Sequence, residues 1–331
     1  MTSMIRTSTE SELARIAAPV REDWERAEQL LLEQFEDSPP WLDRLLSDRA
    51  ILGGKRLRPL LLLLSGAAVG SIQHQHHTLA VAIELIHLAT LVHDDLIDGA
   101  TTRRQAPTVN HEHGATNSVL LGDWFYAHAF VLAAQSKSMD AVETLARSIR
   151  AVCDGEIHQH YCQGNFDLGL NEYLEMIEGK TAALCAAACD IGAGLTEARS
   201  QQRNALREYG RHLGIAFQIV DDILDLIGSP DRIGKTLGTD LANRRVTAPL
   251  LFALKIDHET EHRKLSKLLN AQNVDQRQLV TLIEEAGAIQ QAWELARQHG
   301  RIAQSIASEW TAEPVSSSLC QLAEFVLRRD Y

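Results

Sequence analysis

The sequence predicts an all-α fold in a single domain, and three observations support that prediction. Apolar residues recur at helical spacing along most of the 331 residues, with no useful length of strand-type alternation. Hydrophobic residues make up 45% of the chain and aromatic residues only 5%, which suits a large helical core. No linker rich in proline or glycine divides the chain. One domain over residues 1–331, with 1–20 as at most a loose N-terminal segment, is the economical interpretation, although it exceeds the usual size of one core.

The predicted helices end where proline, glycine or short polar runs interrupt the helical pattern. A proline pair at 39–40 stops the first helix, Gly99 the helix over 78–98, and Gly228 the helix over 197–227. Helical periodicity predicts helices over residues 11–35, 41–50, 60–69, 78–98, 116–135, 139–160, 171–193, 197–227, 250–255, 259–270, 274–286, 288–307 and 315–329. The histidine-rich tract at 71–77 is predicted to be a solvated loop rather than a transition-metal site, because no second set of ligands is at hand.

Charge and cysteine content limit the classes of partner and compartment. A net charge of -12 argues against nucleic acid as a partner, since binding its phosphates requires an excess of Lys and Arg. Small phosphorylated ligands remain compatible, because basic residues can be concentrated locally. The five cysteines are odd in number and form no C-x-x-C pair, which favours a reducing compartment and core packing over disulfides or zinc.

The N-terminal residues contain no apolar signal core, and no apolar run is long enough to span a membrane. The longest run starts at Leu60 and is broken by Ser65 and Gly66, which leaves it short of the roughly 20 residues that a span needs. We therefore expect a soluble, cytoplasmic protein with no transmembrane segment.

Two stretches that are almost copies of one another carry the strongest chemical signal. Asp94, Asp95 and Asp98 form a D-D-x-x-D cluster inside an apolar helical run. A second cluster with the same apolar flanks consists of Asp221, Asp222 and Asp225. The first and last carboxylates of each cluster are predicted to lie one helical turn apart on one face.

One such cluster is often a solvated acidic edge or a helix N-terminus, but the second copy favours a cation site. Partly buried acids this close together must hold either protons or a cation, because an isolated ionised carboxylate away from water is very costly. Magnesium takes few carboxylates from a protein, keeps waters, and binds substrate phosphates with its remaining positions. Two facing D-D-x-x-D helices would therefore make a magnesium site for a diphosphate.

Basic residues are concentrated beside these acids. Lys55, Arg56 and Arg58 follow two glycines at a predicted helix start, which brings backbone N–H groups and positive charge together as in anion sites. A solvated basic loop with a helix cap is the alternative interpretation. Arg103 and Arg104 follow the first cluster directly, and guanidinium groups suit pairs of phosphate oxygens.

Other basic residues have less specific surroundings. Lys235 follows the second acidic cluster in the same manner. His87 lies two turns before Asp94 on the same face, so it is either a ligand contact or a satisfied core histidine. Lys180, next to Thr181, lies mid-helix and must either extend outward to water or find an anion. It is not part of a Walker loop, because the preceding G-x-x-x-x-G pattern is absent.

Together these residues resemble the trans-isoprenyl diphosphate synthases, also called polyprenyl synthetases. The resemblance extends from Leu52 to about Leu251 and rests on ordered motifs, which makes it specific. The motifs are GGKRLRP at 53–59, ELIHLATLVHDDLID at 84–98, the arginine pair 103–104, Gly122-Asp123, Lys180-Thr181, FQIVDDILD at 217–225 and Gly234-Lys235.

The resemblance implies an isoprenoid-synthase-like helical bundle around a deep central cavity, usually in a homodimer. It also implies a prenyltransferase that condenses isopentenyl diphosphate with an allylic diphosphate in a 1'-4 trans linkage and releases pyrophosphate. The implied cofactor is Mg²⁺, held between the two acidic helices. An apolar cavity would exclude water and accept the growing tail.

Similarity to the family also assigns roles to individual residues. Those similar to the isopentenyl diphosphate site are Lys55, Arg58, His87 and Arg104. Those similar to the groups around the allylic diphosphate are Arg103, Lys180, Thr181, Gln218 and Lys235. Those similar to the principal magnesium ligands are Asp94, Asp98 and Asp221, with Asp95, Asp222 and Asp225 as supporting acids or as ligands through water. The implied catalytic set is Asp94, Asp98, Asp221, Lys180 and Lys235.

Three positions depart from the usual pattern of the family. Gln105 stands where a glycine usually follows the arginine pair, and Thr239 and Arg245 stand where many members have lysine. Arginine keeps the charge of lysine but not its geometry, so the interpretation places more weight on Lys235 than on Arg245.

The resemblance implies that product length depends on the residues about one turn before Asp94. Ala89 and Thr90 are small there, where short-chain members have an aromatic residue. The resemblance therefore predicts a medium- or long-chain product. The alternative is that Trp124, Phe125 or Tyr126 forms a floor that stops the tail earlier and gives a short-chain product.

Two other functions fit part of the pattern. A class I terpene cyclase shares the acidic metal site but uses no isopentenyl diphosphate, so Lys55, Arg58 and Arg104 would lack a purpose. A non-catalytic partner subunit of a heteromeric synthase is the other alternative, although such subunits tend to lose acids and both clusters here are complete.

Overall fold

The all-α prediction is confirmed by a computed structural model that describes residues 11–46, 50–228, 239–255, 264–265, 267–269 and 276–329. Residues 11–16 are helical, and short 3₁₀ turns cover Ala18–Val20 and Ala50–Leu52. The longer described helices are α1 (Arg21–Glu33), α2 (Pro40–Leu45), α3 (Leu57–Val69), α4 (His74–Ile97), α5 (Val109–Gln135), α6 (Met139–Tyr161), α7 (Leu170–Ile177), α8 (Ala183–Gly194), α9 (Ser200–Ile227), α10 (Thr239–Ala242), α11 (Ala248–Leu254), α12 (Gln276–Glu285), α13 (Ala288–Trp310) and α14 (Val315–Leu327). A π-helical turn, Glu178–Ala182, joins α7 to α8.

The chain also contains a small hairpin that the sequence did not predict. Strands β1 (Thr102–Arg103) and β2 (Ala106–Pro107) pair antiparallel. Each strand has two residues, which is too short for alternation to be visible in a sequence. The two residues between the strands, Arg104 and Gln105, have left-handed φ values of 54° and 66°, and such values favour glycine.

Helices α3 and α4 lie in the core because they are apolar on nearly all sides. Leu60 through Leu64 on α3 have no exposed surface, and α4 buries most of its length. Helix α3 packs against α8, and α4 packs against α5. Helix α9 packs against α8 and α13, and it contributes to both hydrophobic clusters of the core, with Tyr209 in one and Ile219 in the other. The acidic clusters are therefore carried by long helices that the core holds in place.

The histidine tract differs from its prediction as a solvated loop. Helix α4 begins at His74, and His76 is fully buried with its Nε2 3.1 Å from the Gly192 carbonyl oxygen. Its Nδ1 accepts a hydrogen bond from the Gln73 backbone N–H at 3.0 Å, which caps the helix. His77 contacts Asp23 at 2.8 Å. His76 and His77 contact other parts of the chain instead of water, and residues 74–77 are helical. The solvated-loop prediction is therefore wrong for these residues.

Some other predicted boundaries also differ. The helix predicted over 11–35 is interrupted by the 3₁₀ turn Ala18–Val20, and the helix predicted over 41–50 covers only Pro40–Leu45. Helix α5 starts earlier than predicted, at Val109, and is interrupted at Gly114, whose φ is 81°. The predicted helix over 259–270 lies mostly outside the described residues. Cys185 and Cys189 are buried in the core as expected, whereas Cys153 is exposed, and all five cysteines are free thiols.

Within the described ranges, none of the helices combines the length and the apolar character that crossing a membrane requires. The cytoplasmic location stays a prediction.

Candidate active site

The first acidic cluster lies at the C-terminal end of α4. The helix ends at Ile97, and Gly99 follows with a left-handed φ of 63°, a conformation that glycine adopts without strain. Asp95 is buried and accepts hydrogen bonds from Arg103 Nε to both carboxylate oxygens at 2.8 Å. Asp98 accepts hydrogen bonds from Arg245, one of them from Nη1 at 3.2 Å. Arg103 of the hairpin is thus fixed against Asp95, and its predicted contact with a diphosphate stays a prediction.

Asp94 is the member of this cluster whose charge is least favoured. Burial, together with repulsion from Glu156 and Asp98, raises its pKa to about 6, against the opposing effects of the nearby Lys180 ammonium and the Arg103 guanidinium. A cation beside Asp94 would favour its ionised form further, which is the behaviour expected of a metal ligand.

The second acidic cluster lies in the last two turns of α9. Asp222 is buried and accepts hydrogen bonds from the Tyr173 hydroxyl at 2.6 Å and from Gln218 Nε2 at 2.9 Å. Burial, with repulsion from Asp240, raises the pKa of Asp222 to about 7. Asp225 is also buried, and its Oδ2 accepts a hydrogen bond from the Asp240 backbone N–H at 3.1 Å.

Asp221 is more accessible than its neighbour and is held by a residue near the C-terminus. Arg329 Nη2 donates to Asp221 Oδ1 at 2.6 Å and to the Phe217 carbonyl oxygen at 3.1 Å. The Arg329 guanidinium also lies over the Phe217 ring, 3.7 Å from its centroid. The Arg329 side chain is only 3% exposed, so these contacts are shielded from water.

Arg245 connects the two acidic clusters. Besides Asp98, its guanidinium contacts Asp240 at 3.4 Å and Glu156 at 3.8 Å. Asp240 in turn donates its backbone N–H to Asp225. A chain of three contacts therefore runs from the end of α4 to the end of α9, and both clusters border one site.

The π-helical turn carries Lys180 and Thr181, and both side chains face this site. Lys180 Nζ lies 2.5 Å from Glu156 Oε2 and donates to Gln159 Oε1 at 2.8 Å. Burial alone would lower the pKa of Lys180, but the charges of Asp94 and Glu156 outweigh it and raise the pKa. Lys180 therefore does not extend outward to water; it faces the first acidic cluster.

Thr181 faces the second cluster. Its Oγ1 donates to Gln218 Oε1 at 2.6 Å, and Gln218 Nε2 donates to Asp222. The turn comes close to α6 because Gly155 lies there: a Cβ at that position would be 2.4 Å from the Lys180 backbone nitrogen. Gly155 thus permits the approach that places Lys180 beside Glu156.

A separate group of basic residues gathers where the Gly53-Gly54 loop meets α3, α4 and the hairpin. Gly54 has a φ of 144°, and a Cβ there would lie 2.9 Å from Arg104 Nη2. Arg104 donates to the carbonyl oxygens of Gly53 and Ile51. This loop is therefore built to hold Arg104 against its backbone.

His87, Arg58 and Lys55 complete this basic group. Burial and the neighbouring Arg58 and Arg104 guanidinium groups push the pKa of His87 well below its usual value. Burial, together with Arg329, lowers the pKa of Lys55 to about 7. Arg58 Nε is buried and has no hydrogen-bond partner within the described part of the chain. This concentration of positive charge calls for an anion.

Arg56, the remaining cation of this segment, has a structural role. It is buried and donates to Glu28 at 2.5 Å and to Glu84 at 3.0 Å. Its left-handed φ of 50° at the start of α3 turns it away from its neighbours into the fold. These ion pairs fix the loop that carries Lys55 and Arg58.

Several residues of the site have no signal in the sequence. Glu156, Gln159, Tyr173 and Arg329 act on residues 21 or more positions away, and none belongs to a recognisable motif. Lys235 and Gly234 lie outside the described residues, and the structure says nothing about them.

The two residues tied to product length have different surroundings. Ala89 has no exposed surface and is packed in the core, whereas Thr90 is partly exposed. Thr90 lies one turn before Asp94, and its Oγ1 donates to the His87 carbonyl oxygen at 2.7 Å. Trp124 and Phe125 pack with Phe35 in an aromatic group.

Comparison with known proteins identifies the family to which this chain belongs. The sequence model of the polyprenyl synthetase family matches residues 39–286, most of the chain. This chain is a polyprenyl synthetase. An octaprenyl diphosphate synthase from Haemophilus influenzae is 37% identical over 247 residues, which cover 74% of this chain and 73% of that protein. Membership of this family makes the chain a prenyltransferase.

Solved structures of other polyprenyl synthetases have the same fold. A decaprenyl diphosphate synthase from Rhodobacter capsulatus superposes with a TM-score of 0.88 at 33% identity, over 96% of this chain and 99% of that one. A polyprenyl synthase from Caulobacter crescentus, complexed with calcium and isoprenyl diphosphate, has a TM-score of 0.88 at 32% identity, over 97% and 98% of the two chains. A short-chain isoprenyl diphosphate synthase from Methanothermobacter thermautotrophicus is 33% identical over 93% of this chain and 96% of that protein, so similarity alone does not fix the product length.

The donor atoms of both acidic clusters suit a hard divalent cation. All six candidate ligands are carboxylates, and oxygen ligands of this kind select magnesium or calcium over softer metals. Burial, with repulsion from neighbouring carboxylates, raises the pKa of Asp94 and of Asp222, and a bound cation would oppose both effects. The residues therefore fit a divalent metal bound with a diphosphate.

Proposed function

We propose that this polyprenyl synthetase uses Mg²⁺ to condense isopentenyl diphosphate with an allylic diphosphate and lengthens it to a medium- or long-chain polyprenyl diphosphate. The observation that carries the proposal is the presence of two separate polar groups beside one another. One consists of paired acidic clusters joined by Arg245, and the other is a cluster of cations with few acids of its own. Two diphosphates need two such sites.

The first site would hold the allylic diphosphate. Lys180, Arg103 and Arg245 already lie among the acids, where each can turn from a carboxylate to a phosphate oxygen. Thr181 and Gln218 offer hydroxyl and amide groups on the α9 side. Bound magnesium would stabilise the negative charge of the leaving diphosphate, which favours breaking the allylic C–O bond. We expect Lys235 to join this group from its segment beyond the described residues.

The second site would hold isopentenyl diphosphate. Arg58, Arg104 and the ammonium form of Lys55 would supply positive charge, and the neutral ring of His87 would offer an N–H donor. The buried Nε–H of Arg58 is available as a further donor. Anchoring the diphosphate there would keep the double bond near the allylic carbon, so that it attacks the allylic cation. The proton lost afterwards would leave with the released pyrophosphate. Apolar residues of α4, such as Leu88 and Val92, are buried beside the acids and would help to exclude water.

A magnesium-dependent assay with labelled isopentenyl diphosphate and several allylic starters tests the proposal. We expect elongated products that require both substrates, and at least about a hundredfold loss of kcat in Asp94→Asn and Asp221→Asn, because each removes a charge that must face the metal. Asp43→Asn is the matched control, since that side chain is exposed on α2 and belongs to none of the motifs. A cyclised product formed from an allylic diphosphate alone would show a terpene cyclase instead. Lack of activity until a second protein is added would show a partner subunit.

Thr90 and its neighbours support the longer product. No aromatic side chain occupies the positions one turn before Asp94, and the partly exposed Thr90 leaves that side of α4 open. The aromatic group of Phe35, Trp124 and Phe125 is the candidate floor of a shorter cavity. The deep cavity itself stays a prediction.

We also propose that the whole chain forms one domain and pairs as a homodimer. Leu327 packs against both hydrophobic clusters, and α9 spans them, which supports a single unit. Helix α5 exposes Val119, Leu120, Phe130 and Val131. The two pairs are 11 residues apart, about three turns, so they form a continuous apolar strip of the kind that marks an interface.

A further inference from the structure

A group of side chains with metal-ligating atoms, chemically different from the acidic clusters, lies at the joint between α6 and α7. It consists of His158 in the last turn of α6, Cys162 directly after it, and Glu172 in the first turn of α7. Their ligand atoms all lie within 4.8 Å of one another. His158 and Cys162 are four residues apart, so the helix presents both on one face.

The distances agree with those of a tetrahedral site. His158 Nε2 is 3.4 Å from Glu172 Oε1, and Cys162 Sγ is 3.8 Å from the same oxygen. Bonds of about 2.0 to 2.3 Å from a zinc ion to nitrogen, oxygen and sulfur place neighbouring ligands roughly 3.3 to 3.7 Å apart. Only small side-chain movements are needed to reach that geometry.

The ligand types select a different class of ion from the acidic clusters. Imidazole, thiolate and a single carboxylate suit zinc and similar transition metals, whereas magnesium and calcium prefer oxygen alone. The side chains of His158 and Glu172 are 35% and 43% exposed, so an ion can enter from solvent and keep a water as its fourth ligand. We propose that His158, Cys162 and Glu172 form a transition-metal site of the zinc class, distinct from the catalytic magnesium site.

The position of this site indicates what a bound ion would do. The loop after Cys162 is fixed to the segment that carries Arg245: the Gly164 N–H donates to the Arg244 carbonyl oxygen at 2.9 Å, and Arg244 lies over the Phe166 ring. Glu156 and Gln159, which hold Lys180, lie in the same turns of α6 as His158. An ion that joins the end of α6 to the start of α7 would therefore stabilise the joint between the Lys180 and Arg245 segments.

Binding requires that the Cys162 thiol lose its proton. Burial, with repulsion from Glu172, raises the pKa of this thiol, so the free site holds the protonated form at neutral pH. The metal takes the place of that proton, which passes to solvent, and no electron transfer is involved. His158 contributes the lone pair of its neutral ring.

The experiment is a titration of the tag-free, chelator-treated full chain with Co²⁺ in excess Mg²⁺, which occupies the acidic clusters. We expect one equivalent of Co²⁺ to produce a near-ultraviolet thiolate-to-cobalt absorption band, and Zn²⁺ to abolish it by displacement. Cys162→Ser should lose the band, whereas Cys153→Ser, which changes an exposed cysteine elsewhere on α6, should keep it. Absence of the band in the unaltered chain, or its persistence in Cys162→Ser, would overturn the proposal.

Two further variants make the test independent of how well Cys162→Ser folds. His158→Asn and Glu172→Gln should each weaken Co²⁺ affinity by at least about tenfold, since even indirect partners of a metal site contribute that much. His160→Asn, on the same turn, should leave the affinity unchanged. Circular dichroism checks the folding of each variant. Unchanged affinity in both ligand variants would mean that His158 and Glu172 form an ordinary ion pair only, and the assignment would be wrong.

Discussion

At the scale of single residues, Ala89 and Thr90 are neighbours on α4 with different surroundings. Thr90 shares the face of Asp94 and is partly exposed, so we expect Thr90→Phe to shorten the main product by at least one isoprene unit while the fold persists. Ala89 is fully packed, so Ala89→Phe should instead destabilise the protein by about 1–3 kcal/mol through overpacking. Chromatography of the products and denaturant unfolding measure the two effects. An unchanged product distribution in Thr90→Phe would contradict the role of this turn in setting product length.

Arg329 is predicted to matter although no motif contains it. It pairs with Asp221 and lies near Lys55, so it connects the second acidic cluster to the basic group. Arg329→Ala should lower kcat/KM about tenfold, which corresponds to the loss of one charge-assisted hydrogen bond. Arg328→Ala is the matched control, because that side chain is 64% exposed. Equal kcat/KM values for the two variants would show that Arg329 has no role in the reaction.

Lys55 gives the reaction a specific pH dependence. Because burial and Arg329 lower its pKa to about 7, the ammonium form that attracts a diphosphate is present below that pH and is lost above it. The kcat/KM for isopentenyl diphosphate should therefore fall as the pH rises through about 7, since this parameter reports the free enzyme. In Lys55→Arg the group stays charged, and that fall should disappear. Identical pH profiles for the two proteins would exclude Lys55 as the cause.

At the scale of elements, the joint between α6 and the π-helical turn depends on Gly155. A methyl group there would meet the Lys180 backbone nitrogen at 2.4 Å, so Gly155→Ala should push the turn away and displace Lys180. We expect a loss of about 1–3 kcal/mol of stability and a lower kcat. Gly169→Ala is the control, because nothing lies within 4 Å of its added Cβ. Unfolding curves and steady-state kinetics of both variants compare the two positions, and a fully active Gly155→Ala would contradict this account.

The helices were predictable from the sequence because apolar periodicity and glycine or proline stops act locally. The acidic clusters were predictable because their spacing repeats along the chain. The start of α4 was not, because His76 is buried by a contact with Gly192, 116 residues away. The contacts of Arg245 with Asp98 and of Arg329 with Asp221 join residues more than 100 positions apart, and no local pattern encodes them. The sequence therefore indicated the candidate ligands of the site, but it did not indicate the distant residues that hold them in place.

At the scale of the whole molecule, the apolar strip on α5 predicts the oligomeric state. Leu120 and Val131 are 59% and 51% exposed, and both lie on this strip. Light scattering after size exclusion should give the mass of a dimer, and Leu120→Glu combined with Val131→Glu should give that of a monomer, because charges in an apolar interface lose their water. Leu32→Glu, which changes an exposed leucine on α1, should remain dimeric. A monomeric unaltered chain would disprove the homodimer.

Both acidic clusters occupy the C-terminal ends of long helices, and this placement has a consequence for how ligands enter. Aligned peptide dipoles give each such end a macrodipole charge of about -0.5, which adds to the carboxylates. A diphosphate arriving alone meets this negative potential, and a cation arriving alone must displace Arg103, Arg245 or Arg329 from its acid. Neither obstacle persists when the two arrive together. We therefore expect the cation and the diphosphate to bind with strong positive cooperativity, so that each increases the affinity of the site for the other.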